Sequence, residues 1–227
     1  MPQGDAGSDA RRPIAARSLG AVRGFAAWLA ERGVSANAVS TSSMVFAATA
    51  GGMLAATTKV QPGSFLERGL WLLGAIAIEF RLIANLLDGL IAVEGGKASP
   101  LGGLFNEAPD RVSDAMILIG LGYAVGGDPG LGLAATAAAI LTAYLRELGH
   151  RLGASARFDG PMAKPQRMHV CAGIALVLAV TPTGWRFETP LIGGIPALTL
   201  AVITLGSLVT AWRRTVFIAS ELEASAA

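Results

Sequence analysis

Charge, cysteine, histidine and aromatic side chains are all scarce in this chain, and each shortage excludes something. Only 15% of the 227 residues are charged, where a soluble domain carries about a quarter. That balance argues against a water-soluble globular domain. A single cysteine, Cys171, rules out a disulfide framework. The two histidines, His150 and His169, have no ligand partner at useful spacing and read as structural. Net charge is only +2. The basic residues lie in loops rather than along a stripe interleaved with aromatics, so no nucleic-acid partner is expected. The opening "MPQGDAGSDARRP" is polar, and no short apolar segment with a cleavage site follows it. A cleaved signal peptide is therefore not expected.

What the chain has is apolar length. Hydrophobic residues make up 52% of it, and the mean hydropathy is +0.54. Long apolar runs parted by short polar pieces imply an all-α integral membrane protein with a single membrane domain, 14–214. A disordered tail, 1–13, precedes it, and a C-terminal tail, 215–227, follows. Within 14–33, Leu19, Val22, Phe25, Ala26 and Leu29 recur at helical spacing, with Arg17, Arg23, Glu31 and Arg32 elsewhere. This pattern predicts an N-terminal amphipathic surface helix, too polar to span.

Six stretches within 37–212 approach the roughly 20 residues that a bilayer core demands. They lie near Asn37–Thr58, Leu66–Val93, Gly103–Val125, Leu131–Leu148, Met168–Thr183 and Leu191–Trp212. Gly and Pro mark nearly every break between them. Pro109 suggests that the third span starts nearer Ala108 than Gly103. Trp28, Trp71, Trp185 and Trp212 fall near span ends and read as interface anchors. With the N-terminus inside, the cytoplasmic pieces hold Arg11 to Arg32, Lys97, Arg146 to Arg167, Arg213 and Arg214; the other side has only Lys59, Arg68 and Arg186. The positive-inside rule then puts both termini in the cytoplasm.

Against this apolar background the stretch Asn85–Ala115 is polar. Asn85 and Asp88 are three apart and share one helix face; Gly102, Asn106, Asp110 and Asp114 are spaced by four and share another. The eight-residue "EGGKASPL" joins the two helices and lets these faces meet at the cytoplasmic end. Carboxylates at that depth repel one another unless paired or bound to a cation, and a hard divalent ion such as Mg²⁺ or Mn²⁺ resolves the repulsion. Salt bridges to Arg81 or Arg111 are the structural alternative. Glu79 and Arg81 are expected to pair with each other or snorkel. Gly89, Ala92, Gly102 and Gly103 line the same region, either for close approach of a bulky ligand or for close helix packing.

The spacing resembles the signature of the CDP-alcohol phosphotransferase family, D-x2-D-G-x2-A-R-x8-G-x3-D-x3-D. The matching positions here are Asn85, Asp88, Gly89, Ala92, Val93, Gly102, Asn106 and Asp110. Six spans after a surface helix also look like that family. The resemblance implies transfer of a phosphatidyl-type group from a CDP-linked lipid to an alcohol, with release of CMP and dependence on Mg²⁺ or Mn²⁺. It implies a metal set of Asn85, Asp88, Asn106 and Asp110, with Asp110 also the catalytic base, and Gly89, Ala92 and Gly102 bordering the nucleotide. It further implies a homodimer in the inner (cytoplasmic) membrane with its active site on the cytoplasmic side. Asn85 and Asn106 depart from the signature by replacing two acids, and Val93 by replacing its Arg. Glu107, Asp114 or Glu94 could restore charge, and Lys97 or Arg111 a phosphate contact. With fewer carboxylates, one metal ion, or a second that arrives with the anionic CDP-lipid, fits better than a resident pair. Arg146, Arg157, Lys164 and Arg167 fall on the same side, where relatives with phosphorylated polyol acceptors keep basic residues. Ordinary positive-inside bias with contact to anionic membrane lipid explains them equally. Two other functions stay open: a family relative that has lost its chemistry and serves as a scaffold subunit, and an ion transporter.

Overall fold

The structure is a computed structural model in which residues 20–94, 102–155, 160–189 and 193–226 are described. The tail 1–13, the start of the surface helix, Lys97 and Arg157 lie outside the described residues. So do the side chains of Ala92, Val93, Glu94 and Asn106. Seven helices follow in order: α1 Gly20–Glu31, α2 Ala36–Ala56, α3 Phe65–Glu94, α4 Gly102–Gly122, α5 Pro129–Arg151, α6 Lys164–Val180 and α7 Ile195–Ala226. Four segments are long and apolar enough to cross a membrane: Ala36–Lys59, Phe65–Ile91, Pro129–Arg151 and Ile195–Ser225. The helix α4 has the length, but Glu107, Asp110, Arg111 and Asp114 crowd its first half; α6 is shorter, with 17 residues.

Local chemistry sets the helix ends. Gly33, at φ 78°, closes the turn after α1 in a conformation that suits glycine. Ser35 then caps α2 by accepting from Ala38 N at 3.2 Å. Asp128 caps α5 by accepting from Leu131 N at 2.7 Å, with Pro129 in the first turn. Two expectations need correction here. Pro109 does not begin α4: the helix starts at Gly102 and carries Pro109 inside it. Residues 215–226 are no separate tail but continue α7. Nothing in "TVFIASELEASA" breaks a helix, and Glu221 anchors the extension by accepting from Ser155 N at 2.7 Å and Ser155 Oγ at 2.8 Å.

Packing follows the small residues. The helix α2 lies against α3 and α4, α5 against α4 and α7, and α6 against α3. At the crossing of α2 and α4, a Cβ on Gly120 would fall 2.5 Å from the Gly51 carbonyl oxygen, so the two backbones touch. The apolar core is built around Leu54, Trp71, Ile78, Ile117, Leu118 and Met168. Leu73, Phe80, Ile83, Leu205 and Val209 face outward instead, as lipid-facing side chains do. A smaller apolar cluster seats α1 on the far end of α3 through Ala26, Leu87, Leu90 and Ile91.

Trp71 is also a correction: it is fully buried and donates to Glu67 Oε1 at 3.1 Å rather than anchoring at an interface. Glu67 further accepts from Gly63 N at 2.5 Å and pairs with Arg186. This buried ion pair closes the end of the bundle opposite the polar cluster. A two-residue antiparallel ladder, β1 Glu188–Thr189 with β2 Gly193–Gly194, leads from there into α7.

Candidate active site

Three helices supply the cluster at the α1 end. From α3 come Arg81, Asn85 and Asp88, one helical face at intervals of four and three. From α4 come Glu107, Asp110, Arg111 and Asp114. Lys164 and Arg167 come from the first turn of α6. Asp88 and Asp110 are each only 4% exposed.

Asp110 is the hub. Its Oδ1 accepts from Asn85 Nδ2 at 2.8 Å and from Arg81 Nη2 at 3.2 Å. Its other carboxylate oxygen pairs with the Lys164 ammonium, which also donates to Asn85 Oδ1 at 2.9 Å. Asp88 lies within electrostatic range of Asp110 and Lys164, and its Oδ2 accepts from Ser40 Oγ of α2 at 2.6 Å. Below them Asp114 is gripped from both sides, by Arg81 Nη2 at 2.8 Å and Arg167 Nη2 at 3.2 Å. Arg81 thus reaches across to α4, while Glu79 faces His169 Nδ1 at 3.4 Å and not Arg81.

The other named residues divide by what they touch. Glu107 spends its two oxygens on Arg146, at 2.6 Å, and Arg111, at 3.1 Å. Arg146 also holds Glu147 at 2.7 Å. Arg167 is 1% exposed and points inward, donating to Met162 O at 2.7 Å besides holding Asp114. Among the described residues no group of three or more His, Cys, Asp or Glu is disposed to hold a metal ion. Asp88, Asp110 and the Asn85 carbonyl are oxygen donors of the kind a hard divalent cation takes, but Asp110 and Asn85 already hold Lys164. Ser40 and the direct grip of Lys164 on Asp110 are partners that spacing alone did not reveal. The polar run "STSS" in an otherwise apolar helix was the available signal for Ser40.

No family model matches the chain. It is 31% identical over 210 residues to phosphatidylinositol phosphate synthase of Streptomyces avermitilis, covering 89% of this chain and 80% of that protein. The chain belongs to the CDP-alcohol phosphotransferase family. To archaetidylinositol phosphate synthase of Aeropyrum pernix it is 29% identical over 147 residues, covering 65% of this chain and 70% of the relative. The fold matches that of Mycobacterium tuberculosis phosphatidylinositol phosphate synthase with CDP-DAG bound, at TM-score 0.65 and 19% identity, over 87% of this chain and 92% of that one. The same protein is known in complex with manganese and citrate, again at TM-score 0.65 and 19% identity, over 87% of this chain and 88% of that one. Like these relatives, the family member described here is a mostly helical, multi-pass membrane protein.

Proposed function

We propose that this protein transfers a phosphatidyl-type group from a CDP-linked lipid to the hydroxyl of a phosphorylated polyol, releasing CMP. The observation that carries this reading is the meeting of Asn85 and Asp110, from two helices, in a buried cluster with Lys164 between them and Asp88 also buried. The acceptor class is suggested by relatives named for phosphatidylinositol phosphate and archaetidylinositol phosphate synthesis.

In the reaction the acceptor oxygen forms a bond to the β-phosphorus of the donor. The bond from that phosphorus to the bridging oxygen breaks, and CMP leaves with the bridging oxygen. Asp110 takes the proton of the attacking hydroxyl. Asp88, Asp110 and the side-chain carbonyls of Asn85 and Asn106 would hold a divalent ion, which neutralises the diphosphate when bound. Ser40 orients Asp88 through its hydrogen bond. Gly89, Ala92 and Gly102 leave room for the nucleotide. Lys164, with Arg146 and Arg157, serves the acceptor phosphate. Arg167 is better used to fix Asp114, since both oxygens of Asp114 already rest on guanidinium groups.

The working arrangement is one membrane domain, 14–214, of six spans, with α4 and α6 among them. The helix α1 lies in the interface: Phe25 and Trp28 are exposed and stacked at 5.6 Å, and Arg32 lies 3.6 Å over the Trp28 ring. Both termini and the active site face the cytoplasm, and the protein acts as a homodimer in the inner membrane.

The test is CMP release by purified protein in lipid, supplied with CDP-diacylglycerol, Mn²⁺ and a panel of alcohols that includes inositol phosphate. The expected result is release with the phosphorylated acceptor and none from Asp110→Asn. If no acceptor gives release above that variant, the protein is a scaffold relative that keeps the fold without the chemistry.

A further inference from the structure

We propose that Lys164 is the resident cation of this site, and that a divalent ion binds at Asn85 and Asp110 only by displacing its ammonium group. The inference rests on the reading of this cluster as a cation-assisted active site, and it adds what controls access to it.

Geometry is the first support. The ammonium is held by Asn85 Oδ1 at 2.9 Å and by an Asp110 oxygen. These are two of the oxygens that a divalent ion would need. An ammonium and a magnesium ion compete for the same lone pairs, so both cannot be seated there at once. Lys164 is 18% exposed and opens the α6 helix, so its four-carbon stem has an exit toward the loop before it. By contrast Arg81 and Arg167, at 0% and 1% exposure, are walled in.

Charge is the second support. Asp88, Glu107, Asp110 and Asp114 are matched in number by Arg81, Arg111, Lys164 and Arg167, so these eight side chains sum to neutral without any added ion. The asparagine at position 85 completes the arrangement. Its amide donates to Asp110 at 2.8 Å where an aspartate would repel it, and its carbonyl receives Lys164. One side chain thus joins an acid to a base, which a carboxylate could not do. A departure from the family signature, fewer acids, thereby goes with an organic cation in their midst. Displacement has a use. It releases an ammonium beside the space where the acceptor phosphate would sit.

Two measurements on the full-length protein in detergent, with neither donor nor acceptor present, decide the matter. The first is Mn²⁺ titration followed by electron paramagnetic resonance. Lys164→Gln should bind Mn²⁺ at least about tenfold more tightly than the natural chain, since a neighbouring positive charge is gone. Lys164→Arg, which keeps the charge, should not. Equal or weaker binding by Lys164→Gln overturns the proposal. The second needs no variant and covers the case in which Lys164→Gln does not fold. Acetylation of Lys164 by an amine-reactive ester, read by mass spectrometry, should rise as Mn²⁺ saturates the natural protein. Labelling that stays constant or falls overturns the proposal. Because neither readout depends on turnover, a protein that fails to release CMP can still pass both, and an active one can fail both.

Discussion

Ser40 contributes a single hydroxyl to the site, yet that hydroxyl is the hydrogen-bond donor to Asp88 Oδ2, at 2.6 Å between buried groups. A hydrogen bond to a charged acceptor in such a place is worth about 2 kcal/mol. Ser40→Ala should therefore lower stability by that order, measured by SDS or thermal unfolding in detergent micelles. It should also weaken Mn²⁺ binding, because Asp88 loses the partner that orients it. Normal Mn²⁺ affinity in Ser40→Ala would mean that Asp88 needs no such support. The residue scale is also where the sequence was least legible. Spacing put Asp88, Asp110 and Asp114 on opposed faces, but pairing between helices depends on which long side chains reach across. Arg81 looked like a partner for Glu79 two residues away, although residues at that spacing point to different sides of a helix. It spans instead to Asp110 and Asp114. Arg167 read as a phosphate ligand by its loop-side position, and only the turn of α6 directs it inward.

At the scale of elements, hydropathy located five apolar stretches to within a few residues of α2 to α6, and the start of α7 as closely, because Gly, Pro and polar caps punctuate them. It misread the two places where composition and role diverge. The helix α7 runs past its apolar part, since Ser, Glu, Ala and Leu sustain a helix as well in water as in lipid. Trp71 sits near a helix start but turns inward to Glu67. Element packing also yields a prediction. The backbones of α2 and α4 meet at Gly51 and Gly120, where no side chain fits. Gly120→Leu should force the helices apart and cost at least ~1–3 kcal/mol, seen as a lowered melting temperature by fluorescence-detected gel filtration. Unaltered melting would show that the crossing has slack.

At the scale of the molecule, the two ends differ in kind. One end carries the polar cluster of Asp88, Asp110 and Lys164; the other is shut by the Glu67–Arg186 pair, with Trp71 and Gly63 around it. The asymmetry of Lys and Arg predicts that a green fluorescent protein fused after Ala227 will fluoresce and that alkaline phosphatase fused there will be inactive. The opposite pattern would invert the orientation and move the active site to the outer face. At this scale the expectation rests on loop charges alone, which need no knowledge of side-chain contacts.

The even match of acids and bases around Asp110 has a consequence for how the protein is made. A nascent chain whose inner helices carried bare carboxylates would have to wait for an ion before those helices could settle in the bilayer. Here biogenesis should be independent of metal supply, because Arg81, Arg167 and Lys164 accompany the acids from the same polypeptide. Protein expressed and purified in the presence of EDTA should melt within a degree or so of the untreated sample, as close as a surface change would leave it. A large fall in melting temperature on chelation would show that an ion belongs to the fold itself.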